Sequence, residues 1–302
     1  MGGTDRATDK TGVGWVQGTV REAPADEVLT LVERHLGASE AQSFGTRWYA
    51  ERSTVGLNGS SVQHGHRAGH PGTFVSVTQT DCDVLGTDGV LALLRELADV
   101  GFRATRIDTY SDNAASPRPS EVYEAWEGGQ KVSRSREVGL SARSGRREEK
   151  CSIGSRQSGG YLRIYEDDGH GPGVRWEFEA KGVVAQEVAR ALLAGVPLGQ
   201  LHWGLVVGLV DFRDRQAAAH GERAERSGWF ARLIEGAEAV RAVVAVKVDH
   251  LARRAAWLTR QVLPSLATVW LGYGDAWLNS ALAGGMDRMR PRDRAVLAAV
   301  LA

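Results

Sequence analysis

Cysteine is scarce in this chain. Only Cys82 and Cys151 occur among 302 residues, and they have no paired spacing. That excludes a disulfide framework and a thiolate zinc site, and it points to a reduced, cytoplasmic protein. Long apolar runs are missing as well. No stretch approaches the roughly 18–20 apolar residues that span a bilayer, so no membrane partner is expected. The opening residues, MGGTDRATDKTG, contain no apolar signal core. Net charge is also absent, because 37 basic side chains balance 37 acidic ones. Overall charge therefore gives no reason to expect nucleic-acid binding.

What is present is ordinary in amount and uneven in distribution. An apolar fraction of 42% and a charged fraction of 25% suit a globular protein with ample core. From Lys131 to Arg163 nine cations face three acids, a net of +6. Arginine predominates there, and its planar fork suits phosphate oxygens. An exposed basic loop would look the same.

Along the chain, residues 1–20 read as a loose, flexible N-terminus. Residues 21–302 read as one domain whose C-terminal part, from about 183, is helical. Asp26–Leu36 has apolar residues at helical spacing. Gln42–Val55 and Gly72–Thr80 read as strands, with GLNGSS and HGHRAGHPG between them as turns. Thr87–Val100 is the clearest helix, with Thr87 as candidate N-cap and Gly101 as its end. Ala104–Asp112 alternates as a strand, and Ser120–Trp126 is a short helix. Val183–Leu193 and Val196–Val207 read as helices, Ser227 as a cap for a helix through Ile234, and Asp249–Val262 as a further helix. Arg241–Val248 fits strand or helix. The fold class is α+β, a central, mainly antiparallel sheet with flanking helices.

The most informative stretch is Cys151–Gly182. It reads as two strands joined by a Gly-rich turn, each with the two-residue alternation of a half-buried sheet. Leu162 and Ile164 share one face with Trp176, Phe178 and Ala180 of the second strand. The other face carries Tyr161, Arg163, Tyr165, Arg175, Glu177, Glu179 and Lys181. The strand at Ala104–Asp112 adds Arg106, Asp108, Tyr110 and Asp112 on one face. Carboxylates gathered this way suit Mg2+ or Mn2+, which take oxygen ligands. A tyrosine beside such a cation could attack a phosphodiester, because the cation offsets the charge that gathers in the transition state. A plain sheet with a charged outer face fits the same spacing.

The series Thr105-Arg106-Ile107-Asp108 with Asp112, Ile153–Ser158, Leu162–Glu166 and Val174–Gly182 resembles the replication initiation factor family. That family comprises the rolling-circle Rep proteins of small plasmids, the Rep_trans group, and related relaxases of conjugative elements. The combination GSR-x-S, LRIY and R-x-E-x-E-x-K is fairly specific, whereas any one part is weak. Weaker similarity continues through Val210–Arg215 and the tryptophan-containing tail. The resemblance implies a sequence-specific, metal-dependent DNA nickase that initiates rolling-circle replication through a 5′-phosphotyrosyl link. It implies Tyr165 as nucleophile, with Tyr161 in reserve, and Asp108, Glu177 and Glu179 as ligands of Mg2+ or Mn2+. Arg106, Arg156, Arg163, Arg175 and Lys181 are the implied DNA contacts, with Asp112 a weaker candidate ligand. Implied partners are origin DNA at a hairpin or single-stranded nick site, a host helicase and a second copy of the chain.

One feature departs from the family. Its members often carry a cation soon after the RIY-acid run, whereas Glu166 here is followed by Asp167. Arg163 or Arg175 is the expected substitute. The departure also admits a non-catalytic, origin-binding relative, and the chain does not separate replication from conjugative transfer. His64, His66 and His70 suggest a second metal motif, but Gly65 in a Gly-rich loop argues against the strand that such a motif needs.

Overall fold

The computed structural model describes residues 10–42, 44–46, 48–67, 72–133, 135–142, 149–166, 173–214, 224–234 and 258–289. Chain contacts divide it into two units, Met1–Arg241 and Ala242–Ala302, where composition suggests one domain from residue 21 onward. In the first unit the order is β1 (Lys10–Val20), α1 (Ala25–Leu36), β2 (Ser39–Ala41), β3 (Tyr49–Val55), β4 (Ser60–His66), β5 (Thr73–Val77), α2 (Gln79–Asp99) and β6 (Phe102–Asn113). Then come α3 (Pro119–Glu127), β7 (Lys131–Ser133), β8 (Val138–Ala142), β9 (Glu149–Ile153), β10 (Gly160–Glu166) and β11 (Val174–Lys181). The unit closes with α4 (Val183–Leu193), α5 (Leu198–Leu209), β12 (Val210–Phe212) and α6 (Gly228–Leu233). The second unit shows a π-helical turn at Leu258–Val262 and α7 (Leu263–Asp287).

Ten strands form one antiparallel sheet in the order β2-β3-β4-β5-β1-β6-β11-β10-β9-β8, which bears out the α+β expectation. The expected hairpin is β10 against β11, with Tyr165 opposite Arg175 and Arg163 opposite Glu177. β6 lies on the other side of β11, pairing Asp108 with Glu179 and Tyr110 with Glu177. Strand alternation then sends Ile107, Leu162, Ile164, Trp176, Phe178 and Ala180 to one face, where all are buried. Helices α4 and α5 pack on that face. Trp176 anchors an aromatic cluster there, 5.6 Å from Trp203 and 6.2 Å from Phe230 between ring centres.

The flexible N-terminus is a correction. Residues 10–20 form β1, paired on both sides with β5 and β6 near the middle of the sheet. Its polar, Gly-rich sequence hid this, because glycine weakens a strand's propensity signal. The glycine has a use: a Cβ on Gly12 would lie 2.4 Å from the Tyr110 ring. Tyr110 crosses β1 there and donates a hydrogen bond to Asp83 Oδ1 at 2.5 Å. A second correction concerns His64-Gly65-His66, which belong to strand β4 rather than to a loop. Gly65 bridges the irregularity with a φ of +71°, a conformation that favours glycine.

Helix expectations hold closely. α2 breaks at Gly86, so its main segment starts at Thr87 as the spacing predicts, and a short turn from Gln79 precedes it. Ser227 occupies the N-cap position of α6, without a side-chain capping bond among the described residues. Arg241–Val248 and most of Asp249–Val262 lie outside the described residues, as does His70.

Candidate active site

The polar face of β6, β11 and β10 gathers Asp108, Glu177 and Glu179 with Tyr165, as alternation requires. Tyr165 Oη donates a hydrogen bond to Glu177 Oε2 at 2.7 Å. The other oxygen, Glu177 Oε1, accepts from Arg163 Nη2 at 2.5 Å. The same Arg163 nitrogen lies 3.1 Å from Asp108 Oδ2 and 3.7 Å from Glu179 Oε2. Arg106 grips Asp108 through Nε, at 2.8 Å from Oδ1, and through Nη2. Arg106 also lies 3.1 Å from Glu179, whose second oxygen pairs with Lys181. Three acids are thus matched by three cations.

Burial controls the electrostatics. It pushes the Asp108 carboxyl up to about 6, against the pull of Arg106 and Arg163. It also pushes the Tyr165 phenol well above the usual tyrosine range, and the Glu177 charge and hydrogen bond push it further. Burial acts the same way on Tyr161, but hydrogen bonds with Ser152 and Arg156 and the Arg156 charge outweigh it, so that phenol is lowered. Glu179 is likewise lowered, because Lys181 and Arg106 outweigh its burial.

The expected DNA contacts separate into two groups. Arg156 is exposed, with its guanidinium 5.7 Å from the centre of the Tyr161 ring. Arg106, Arg163 and Lys181 are half-buried on the carboxylates. Arg175 has no exposed side-chain surface. It clamps Asp112 at 2.6 and 2.8 Å and lies 4.0 Å over the Tyr110 ring. Asp112 is thereby committed to Arg175, and Arg175 drops from the DNA-contact set because a fully covered side chain cannot reach a phosphate.

Sequence reasoning missed Lys150 as a member of this site. It stands directly across from Tyr165 on β9, with Nζ 5.9 Å from that ring's centre. Burial lowers its ammonium, and the charge of Arg163 lowers it further. The signal was available in the shared parity of Lys150 and Ser152 before the GSRQS turn, but it needed the β9–β10 register. Lys150 thus places a cation beside Tyr165.

The oxygen-only donor set of Asp108, Glu177 and Glu179 suits a hard divalent cation. Among the described residues no three His, Cys, Asp or Glu side chains stand as a preformed metal cluster. The three carboxylates instead converge on Arg163 Nη2. His64 Nδ1 lies 3.8 Å from a Glu51 carboxylate and far from this group in the strand order.

The model of the replication initiation factor family matches residues 103–271, more than half of the chain and every residue of this cluster. The chain belongs to the replication initiation factor family. Among solved structures, the rolling circle replication initiator protein from Geobacillus stearothermophilus matches with a TM-score of 0.66 and 18% identity. That match covers 78% of this chain and 99% of the other, a likeness of fold. A comparison with curated proteins found no match. Strands β1 to β5 precede the family-matched segment, yet β1 completes the sheet beside β6. Among the described residues no helix is long and apolar enough to cross a membrane.

Proposed function

We propose that this replication initiation factor is a rolling-circle initiator that nicks and rejoins origin DNA through Tyr165. The observation that carries the reading is the 2.7 Å hydrogen bond from Tyr165 Oη to Glu177 Oε2, on the same sheet face as Asp108 and Glu179. In this reading Tyr165 Oη attacks phosphorus, the bond to the 3′-oxygen breaks, and the protein is left on the 5′-phosphate. Glu177 Oε2 takes the phenolic proton in the same reading, and the 3′-oxygen leaves as a hydroxyl by taking a proton from solvent. The phosphotyrosyl bond stores the energy for rejoining, so no nucleotide is consumed.

A buried, acid-bound phenol does not ionise unaided at neutral pH. Positive charge must therefore enter with the substrate complex. Asp108, Glu177 and Glu179 would hold Mg2+ or Mn2+, which would offset the charge on the phosphate and on the departing oxygen. Lys150 and Arg163 flank Tyr165 and orient the scissile phosphate, while the exposed Arg156 holds the strand nearby. Action in the cytoplasm, as a homodimer and with a host helicase, completes the reading.

The test uses the full chain, Mn2+ and supercoiled origin DNA. Wild type should give nicked circles with attached protein, and a chelator should stop the reaction. Tyr165→Phe should give neither product. A Phe variant that still links to DNA would refute the assignment, and salt-sensitive binding without any adduct would favour a non-catalytic origin binder.

A further inference from the structure

Arg163 makes an unusual contact for an arginine among carboxylates. One nitrogen, Nη2, stands 2.5 Å from Glu177, 3.1 Å from Asp108 and 3.7 Å from Glu179. Its Nε is buried without a hydrogen-bond partner among the described residues. Arg106 and Arg175 behave differently: each uses Nε and Nη2 together to clamp an aspartate, and Arg106 Nη2 also reaches Glu179 at 3.1 Å. A two-point clamp is the strong form of the arginine–carboxylate pair. Arg163 is held instead by the summed charge of three acids at a single point, and it keeps an unpaired buried N–H, which is costly. That point is where the donor oxygens converge, so it is also where a divalent ion would sit, and two cations cannot share it.

We propose that Arg163 is a displaceable internal counter-cation. It holds the three carboxylates together before metal arrives and gives up its place when Mg2+ or Mn2+ binds. The released guanidinium then lies beside Tyr165 on β10, in reach of the attacked phosphate. Metal loading and phosphate recognition are thereby one event: the arginine is withheld from DNA until the ion is in place. The inference rests on the metal-dependent reading above and adds an order to it.

The experiment is Mn2+ binding by calorimetry on the full chain without DNA, comparing wild type, Arg163→Gln and Arg106→Gln. Removing the competitor should tighten Mn2+ binding about tenfold in Arg163→Gln. Arg106→Gln removes an equal charge that touches Asp108 and Glu179 but not Glu177, and should gain less. On the wild-type protein, Mg2+ should also change the side-chain NMR signal of Arg163 more than that of Arg106, a measurement that needs no variant to fold. Equal gains in both variants, no gain in Arg163→Gln, or an Arg163 signal indifferent to saturating Mg2+ would overturn the displacement. If Mn2+ binds neither wild type nor variants, the metal-dependent reading itself fails and the inference falls with it.

Discussion

Tyr161 and Tyr165 stand four residues apart on one strand and face the same way, yet their hydroxyls sit in opposite fields. Tyr161 meets Ser152 and Arg156 and is lowered, whereas Tyr165 meets Glu177 and is raised. In an NMR titration of the free protein, Tyr161 should ionise below the ordinary range near ~10 and Tyr165 above it. A reversed order would contradict the Tyr165–Glu177 hydrogen bond. Acidity alone would point to Tyr161, whereas the proposed reading selects Tyr165 by its position against the carboxylates. Glu177→Gln tests its proposed roles as proton acceptor and metal ligand. The amide can still receive a hydrogen bond but takes up no proton, so adduct formation should fall by about 10²–10⁴-fold while the fold persists. An unchanged rate would move the base elsewhere.

Strands carry the site, and the neighbours of each strand set its precision. β1 accommodates the Tyr110 ring only because Gly12 has no side chain. Gly12→Ala should cost about 2 kcal/mol of unfolding free energy in urea, since the ring or the strand must shift. On the apolar face, His202 of α5 is fully buried, with Nδ1 2.9 Å from Thr109 Oγ1 of β6. Burial holds its pKa down to about 3. The unfolded chain takes up a proton there below about 6.5. Stability that is present above that value is therefore lost as pH falls toward the folded value. Between pH 7.5 and 5 wild type should lose about 2 kcal/mol more than His202→Gln. Much of this level was legible in sequence. Alternation at Arg163, Tyr165, Glu177 and Asp108 placed one face correctly, and α4 was bounded correctly by Gly182 and Leu193. Three things were not legible. β1 was hidden by its glycines, the Lys150–Tyr165 pairing depends on strand register, and the burial of Arg175 involves the Tyr110 ring of neighbouring β6, which only the folded sheet brings over it.

For the whole molecule, zero net charge and a local basic excess are compatible because the segment Lys131–Arg163 holds nine cations against three acids while the rest of the chain is correspondingly acidic. Origin binding should therefore weaken steeply with salt. Arg156→Gln should reduce the slope of log K against log salt by about 0.7–0.9, the value of one phosphate contact. A slope equal to that of wild type would remove Arg156 from the interface. The central claim concerns one oxygen atom, and trypsin offers a direct reading of it. Arg156, Arg163 and Arg175 place Tyr161 and Tyr165 in separate peptides, Gln157–Arg163 and Ile164–Arg175. After reaction with origin DNA and nuclease trimming, mass spectrometry should find a nucleotide on Ile164–Arg175 and none on Gln157–Arg163. A nucleotide on Gln157–Arg163, or on neither peptide in a chain that has nicked its DNA, would contradict the account.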